Sequence, residues 1–371
     1  VGALAYVIVA VVIYQVDFGV YHAGGSHAFD GLLYKFDIAG AKFTYPPFSA
    51  LMFSPWAHLP VGLAKGVWAL GSYVALWFLV GLIVKRYGSP WFANYKYAQI
   101  IVFVGAATSN PIRDGLALGQ IDVFLALLVI ADLCGALPFL PRGILIGIAA
   151  TIKLTPLFLI AYLLVVRRIR PALVAVATFA SLTAMTFVVL PKESTIYWLD
   201  RYFVNMNHFG VDGISNQSIN GMLARYFGPM STHMVWYVPL AMIVGALVLW
   251  TAHEVNASRP WLGEAIAVAA IVALSPVSWT HHWIYVLPLV VAGFRLGADP
   301  RYRSVLVATV LLSVSLMIGP FWFVATRFHH SSLALIVASS DILLLLVLLG
   351  AIPLSLATQQ IKDRVLAPAA R

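Results

Sequence analysis

The feature that most restricts what this chain can fold into is the alternation of long apolar runs with short basic clusters. Val305 to Ile318 and Leu333 to Ala351 approach the roughly 20 residues that a helix needs to cross a hydrocarbon core of about 30 Å. Many other stretches read alike, and the whole sequence of 371 residues is 61% hydrophobic and only 10% charged. A soluble domain does not carry that balance, so the sequence predicts an all-α, polytopic transmembrane protein. The net charge of +9 does not point to nucleic acid, because the cations form no stripe interleaved with aromatics. They gather as Lys85 and Arg86, as Arg167, Arg168 and Arg170, as Arg295, Arg301 and Arg303, and as Lys362 and Arg364. Short basic clusters between apolar runs are the pattern of cytoplasmic loops, where they also meet anionic headgroups.

With those clusters inside, the remaining topology follows by parity and gives about 12 crossings. Val1 to Val16 is read as the end of a first spanning helix, with residues upstream missing, rather than as a cleaved signal, since no small-residue cleavage site follows. The stretch Gly143 to Val166 has basic residues at both ends and Lys153 with Pro156 in its middle, which predicts a broken hairpin rising to Lys153 and turning back. The chain is expected to form one transmembrane domain over residues 1–371, with a solvated tail at about 357–371. The polar segments near 17–47, 109–120, 191–234 and 275–282 then all fall on the non-cytoplasmic face. That shared side places the chemistry on one face.

Asp17 ends the first apolar run beside Phe18 and Tyr21, where a carboxylate can take a proton from a hydroxyl presented by a lipid; the plainer reading is a helix-end acid snorkelling to water. Asp30 and Asp37 share that loop in more ordinary surroundings. Thr44-Tyr45-Pro46-Pro47 sets a rigid re-entry into the bilayer. Asn110-Pro111 opens a loop that runs through Arg113 and Asp114 to Gly119 and Gln120. The guanidinium of Arg113 suits a phosphate or carboxylate or pairs with Asp114, while Asn110 and Gln120 suit either helix capping or substrate. Lys153 is costly at membrane depth, and either a lipid phosphate or snorkelling accounts for it. Asn216, Gln217 and Ser218 form an amide-rich turn able to bond sugar hydroxyls, and Trp198, Tyr202 and Phe203 offer stacking faces.

The densest signal is Ser275-Pro276-Val277-Ser278-Trp279-Thr280-His281-His282-Trp283. Adjacent histidines point apart on a helix and seldom chelate one ion, so phosphate binding or proton handling by His281 and His282, with Trp279 beside them, is the stronger reading than a metal site. His329 and His330 repeat the pair without the proline and tryptophan context and are read as loop. Cys134 is the only cysteine, which excludes an intrachain disulfide and a thiolate metal cage.

Taken in order, Asp17 with Val20-Tyr21, Thr44 to Pro47, Asn110-Pro111 through Gly119-Gln120, Lys153 to Pro156, Asn216 to Ser218 and Ser275-Pro276 through His281-His282 resemble glycosyltransferase family 87. Within that family the likeness is to the polyprenol-phosphate-mannose-dependent α-1,2-mannosyltransferases of phosphatidylinositol mannoside synthesis. The resemblance implies a GT-C fold, a polyprenyl-phosphate mannose donor, a phosphatidylinositol mannoside or similar glycolipid acceptor, and inversion at the sugar. It implies Asp17 as the general base and a histidine of the His281-His282 pair, His281 by preference, at the donor phosphate, with His282, Lys153 or Arg113 added here in support. No metal or other cofactor is expected, and the working face would be the periplasmic side of a bacterial plasma membrane. Two rivals remain: a transferase of another polyprenyl-linked sugar such as arabinofuranose, and a lipid or sugar transporter. Transporters centre their polar groups at the midplane, which the one-sided pattern here disfavours.

Overall fold

The structure is a computed structural model that describes residues 15–38, 40–202, 210–228, 230–325 and 331–366. Among the described residues every regular element is a helix, joined by turns and loops with only isolated bridges such as Ile38 to Ala41 and Asn216 to Trp279. Among the described residues five helices are long and apolar enough to cross a membrane, at Val61–Tyr87, Ile169–Val189, Thr232–Asn256, Pro300–Ile318 and Ser340–Ile361, and a pair bent by 118° makes six if it is one broken span. Large apolar side chains such as Leu70, Phe78, Val188, Met242 and Leu354 stand exposed along them, an arrangement that lipid stabilises and water does not. The protein is a polytopic helical membrane protein.

The expected count of about 12 crossings is not reached by the described residues. The first expected crossing, Val1 to Val16, lies almost wholly outside them, as do His329 and His330. Other apolar runs counted as crossings form helices of 11 to 15 residues, such as Ala98–Thr108 and Pro260–Leu274. At 1.5 Å per residue these reach about 16 to 22 Å, short of a full core. The supposed loop from Asn110 is instead the helix Asn110–Leu118, followed across a 118° bend by Asp122–Cys134. Pro111 is tolerated there because it sits in the first helical turn. The expected tail from Gln359 is also helical, since Ser340–Leu366 continues through it.

The chain divides into two compact units: residues 1–82 with 112–210, and residues 83–111 with 211–371. In the first, the predicted break at Lys153 is present. Helix Ile144–Ile152 ends where Lys153 takes an extended conformation, a short 3-10 turn Thr155–Leu157 follows, and helix Phe158–Val165 leads back. The direction of travel is readable from the glycines. Gly143 lies against Pro171 and Ala175, and Gly147 against Ala175 and Thr178, so Ile144–Ile152 runs parallel to Ile169–Val189 while the intervening helix reverses. Asp132 holds the base of this hairpin, its carboxylate accepting the N–H groups of Gly143, Leu145 and Ile146 at 2.8 to 3.1 Å. Lys153 therefore stands about 15 Å of helix away from the basic loop Arg167 to Arg170.

The second unit shows the same polarity. Near the start of helix Pro260–Leu274, buried Glu264 receives both donors of Arg86 at 2.8 and 2.9 Å, and the Arg295 guanidinium stacks 4.0 Å from the Trp261 ring. The loop carrying Ser275 to His282 begins at the other end of that helix. In each unit a basic cluster and a segment singled out from the sequence, Lys153 in the first and Ser275 to His282 in the second, lie at opposite ends of one helix.

Candidate functional site

Asp17 lies in the first turn of helix Val16–Ser26, where the helix dipole favours a negative charge. Its Oδ2 accepts a hydrogen bond from Gln120 Nε2. Gln120 is in turn held by Tyr21, whose hydroxyl donates to Oε1 at 2.7 Å, with the Tyr45 hydroxyl 2.8 Å from that of Tyr21. Burial, reinforced by Asp17 and Asp122 nearby, pushes both phenols well above their ordinary range, so they stay protonated donors at any physiological pH. The Tyr21 ring is fixed by stacking on Phe53 at 4.6 Å, and Phe53 belongs to the helix that Pro46-Pro47 opens. The double proline thus opens that helix and places Tyr45 just before it.

Lys153 answers its own question. Its ammonium bonds both oxygens of Asp122 at 2.8 and 3.0 Å, with the Lys153 side chain 13% and that of Asp122 3% exposed, and it lies 5.6 Å from the Tyr45 ring centroid. The side chain is buried and paired rather than snorkelling to water. Asp122 was not singled out from the sequence, although the signal existed: an acid two residues after Gln120, at the head of an apolar run, is as costly in a membrane as Lys153 itself, and each explains the other. Tyr21 was noticed only as a motif neighbour.

In the second unit Asn216, Gln217 and Ser278 are fully buried. Asn216 donates to Val211 O at 2.8 Å and accepts from the Ser278 N–H at 2.9 Å; Gln217 donates to Ile214 O and Ala338 O at 2.7 Å, and its backbone N–H reaches Ser278 O at 2.8 Å. Arg225 crosses beneath the turn, bonding Gly213 O and Asn216 O at 2.9 Å and Ser339 Oγ at 3.0 Å. Burial lowers its guanidinium to about 10, and it stays charged at neutral pH. The turn and the loop before the histidines are therefore stitched together. His281 and His282 follow on the 3-10 run Thr280–Val286, 6% and 8% exposed, their rings 4.7 Å apart and edge to face. The expectation that neighbouring histidines point apart is not met here, since the two rings lie in edge-to-face contact.

The other predicted residues are placed as follows. Trp279 is half-buried beside the histidines, and Asn110 is buried against Gly319 at the end of helix Arg303–Ile318. Arg113 is exposed on Asn110–Leu118. Asp30 pairs with His27 at 2.6 Å and Asp37 accepts the Gly40 N–H, both serving their own loop. Trp198 rests edge-on against Tyr197, and the Tyr202 hydroxyl donates to Phe43 O; Phe203 lies outside the described residues.

The sequence profile of glycosyltransferase family 87 matches residues 43–278. Over 319 residues the chain is 31% identical to a polyprenol-phosphate-mannose-dependent α-(1-2)-phosphatidylinositol mannoside mannosyltransferase of Mycolicibacterium smegmatis, covering 79% of this chain and 72% of that one. The protein of the same description from Mycobacterium tuberculosis is 30% identical over 320 residues, 81% of this chain and 74% of the relative. A pentamannoside mannosyltransferase of M. smegmatis, also polyprenol-phosphate-mannose-dependent, is 32% identical over 290 residues, 74% of this chain and 68% of the relative. No solved structure matches. The chain belongs to glycosyltransferase family 87 and is a membrane-bound glycosyltransferase.

Proposed function

We propose that this enzyme transfers mannose from polyprenyl-phosphate mannose to a phosphatidylinositol mannoside, forming an α-1,2 linkage with inversion. The observation that carries the reading is the carboxylate of Asp17, set in the first turn of its helix and bonded by a buried amide, in a chain of this family. Asp17 takes the proton of an acceptor hydroxyl as its oxygen attacks the anomeric carbon, and the bond from that carbon to the phosphate oxygen breaks on the opposite side. The polyprenyl phosphate leaves with the electron pair, and His281 stabilises the growing phosphate charge, aided by His282, Lys153 or Arg113. Tyr45, Asn110 and Trp279 complete the proposed substrate surroundings, with the turn of Asn216 and Gln217 shaping the loop before the histidines.

The architecture proposed for this chemistry is the GT-C one, in which the short apolar helices Ala98–Thr108 and Pro260–Leu274 lie within the bilayer beside the full spans. The working face is the periplasmic one, opposite the basic clusters. Turnover needs no resident metal, so a chelator is expected to leave the rate unchanged; loss of activity restored by a divalent cation would overturn that part.

The test is incubation of purified protein with polyprenyl-phosphate mannose and phosphatidylinositol mannosides, with mass spectrometry and linkage analysis of the lipids. A product one hexose heavier and α-1,2-linked is expected. Transfer from decaprenyl-phosphate arabinofuranose instead, or movement of lipid across vesicles without covalent change, would replace the reading by one of its rivals.

A further inference from the structure

The direction of the Gln120 amide is readable from its neighbours. Tyr21 is a protonated donor to Oε1 at 2.7 Å, and Tyr45 reaches both the Tyr21 hydroxyl at 2.8 Å and Oε1 at 3.4 Å. The carbonyl end of the amide is therefore committed to phenols, and the N–H end faces Asp17. The residue before it is pinned as well. Gly119 has φ +71°, a Cβ there would come within 2.7 Å of Phe18, and its carbonyl accepts the Trp68 indole N–H at 2.8 Å. Gln120 is thus held against the helix that carries Asp17 from both its backbone and its side chain.

We propose that Gln120 is the positioning residue of Asp17, fixing the plane of the carboxylate and stabilising its ionised form, and that Tyr21 sets Gln120 by locking the amide orientation. This rests on Asp17 being the general base. An N–H donated to a carboxylate favours the charged form, so its loss moves the Asp17 titration upward. Around Asp17, its own helix carries Tyr21 and His22, and the segments packed about it carry Tyr45, His58, Lys65, Asp122 and Lys153. The Lys153 ammonium is paired with the Asp122 carboxylate, and Gln120 bonds Asp17 directly.

The experiment is the pH profile of kcat/KM for mannosyl transfer by full-length Gln120→Leu, Gln120→Glu and Tyr21→Phe in the membrane, beside Asp17→Asn. Gln120→Leu is expected to lose about tenfold to a hundredfold in kcat/KM, the range for a hydrogen bond to a charged group, and to move the acid limb up by about one pH unit. Gln120→Glu moves the limb further, because a second carboxylate then faces the first. Tyr21→Phe keeps the ring on Phe53 and loses about three- to tenfold. If Asp17→Asn is inactive while Gln120→Leu keeps the wild-type rate and acid limb, the positioning role is wrong and the base assignment stands. If Asp17→Asn is active, the base assignment itself fails. Should Gln120→Leu not fold, wild-type profiles in both Gln120→Glu and Tyr21→Phe overturn the proposal.

Discussion

The two polar clusters of this protein are made of similar residues and bonded in different ways. Around Asp17 the bonds run from side chain to side chain: Tyr45 to Tyr21, Tyr21 to Gln120, Gln120 to Asp17, Lys153 to Asp122. Around the Asn216 turn they run from side chain to backbone, and the amides and Arg225 hold loops together. A network of side chains can tune a charge, because each member alters the electrostatics of the next. A side chain bonded to backbone carbonyls mainly fixes a shape. Amide-rich motifs look alike in sequence, and only their partners separate reagent from scaffold.

The largest expected effect breaks the ion pair on which the first cluster is built. Lys153→Ala removes the ammonium bonded to both oxygens of a buried carboxylate and should cost about 3–5 kcal/mol, seen as loss of folded protein in detergent or a steep fall in Tm. Replacing both partners, with Asp122→Leu and Lys153→Met together, should recover most of that stability but not turnover; recovery of both would mean the pair serves only packing. Next comes His281→Ala, for which a loss of turnover near a hundredfold with acceptor binding kept is expected; an unchanged rate would remove His281 from the donor phosphate.

Asn216→Ala sharpens the contrast directly. As scaffold it should cost about 1–3 kcal/mol, because the Val211 carbonyl and the Ser278 N–H lose their partner in the interior. A raised KM at unchanged Tm would instead mark a sugar contact. The smallest effect belongs to the surface. The His27 hydrogen bond holds the Asp30 carboxyl below its ordinary value, so its contribution is present above the unfolded carboxylate pKa and is lost as pH falls through the lower folded value. With both side chains more than a third exposed, screening keeps it under about 1 kcal/mol, and Asp30→Asn should change Tm little at pH 7.

The parts legible in the sequence were those where cost is local. A lysine and a proline inside an apolar run announce a break whatever surrounds them, and the hairpin turns there. Asp17 was visible as an acid at the end of an apolar run. Less legible was anything that depends on a partner far along the chain. Asp122 acquires meaning from Lys153, 31 residues later, and the amide of Gln120 from Tyr21, 99 residues earlier. The crossing count failed for a different reason: hydropathy measures how apolar a run is, while crossing requires length, and runs of 11 to 15 residues satisfy only the first. Asn110–Leu118 was misread because proline and glycine signal a loop unless the proline falls in the first helical turn.

The central claim is that the Asp17 carboxylate removes the acceptor proton, and the rate of mannosyl transfer by Asp17→Asn, measured on protein inserted and folded as well as the wild type, tests it most directly. Asparagine keeps the shape and loses the base, so the rate is expected to fall by about 10² to 10⁴. A rate equal to the wild type would contradict the account.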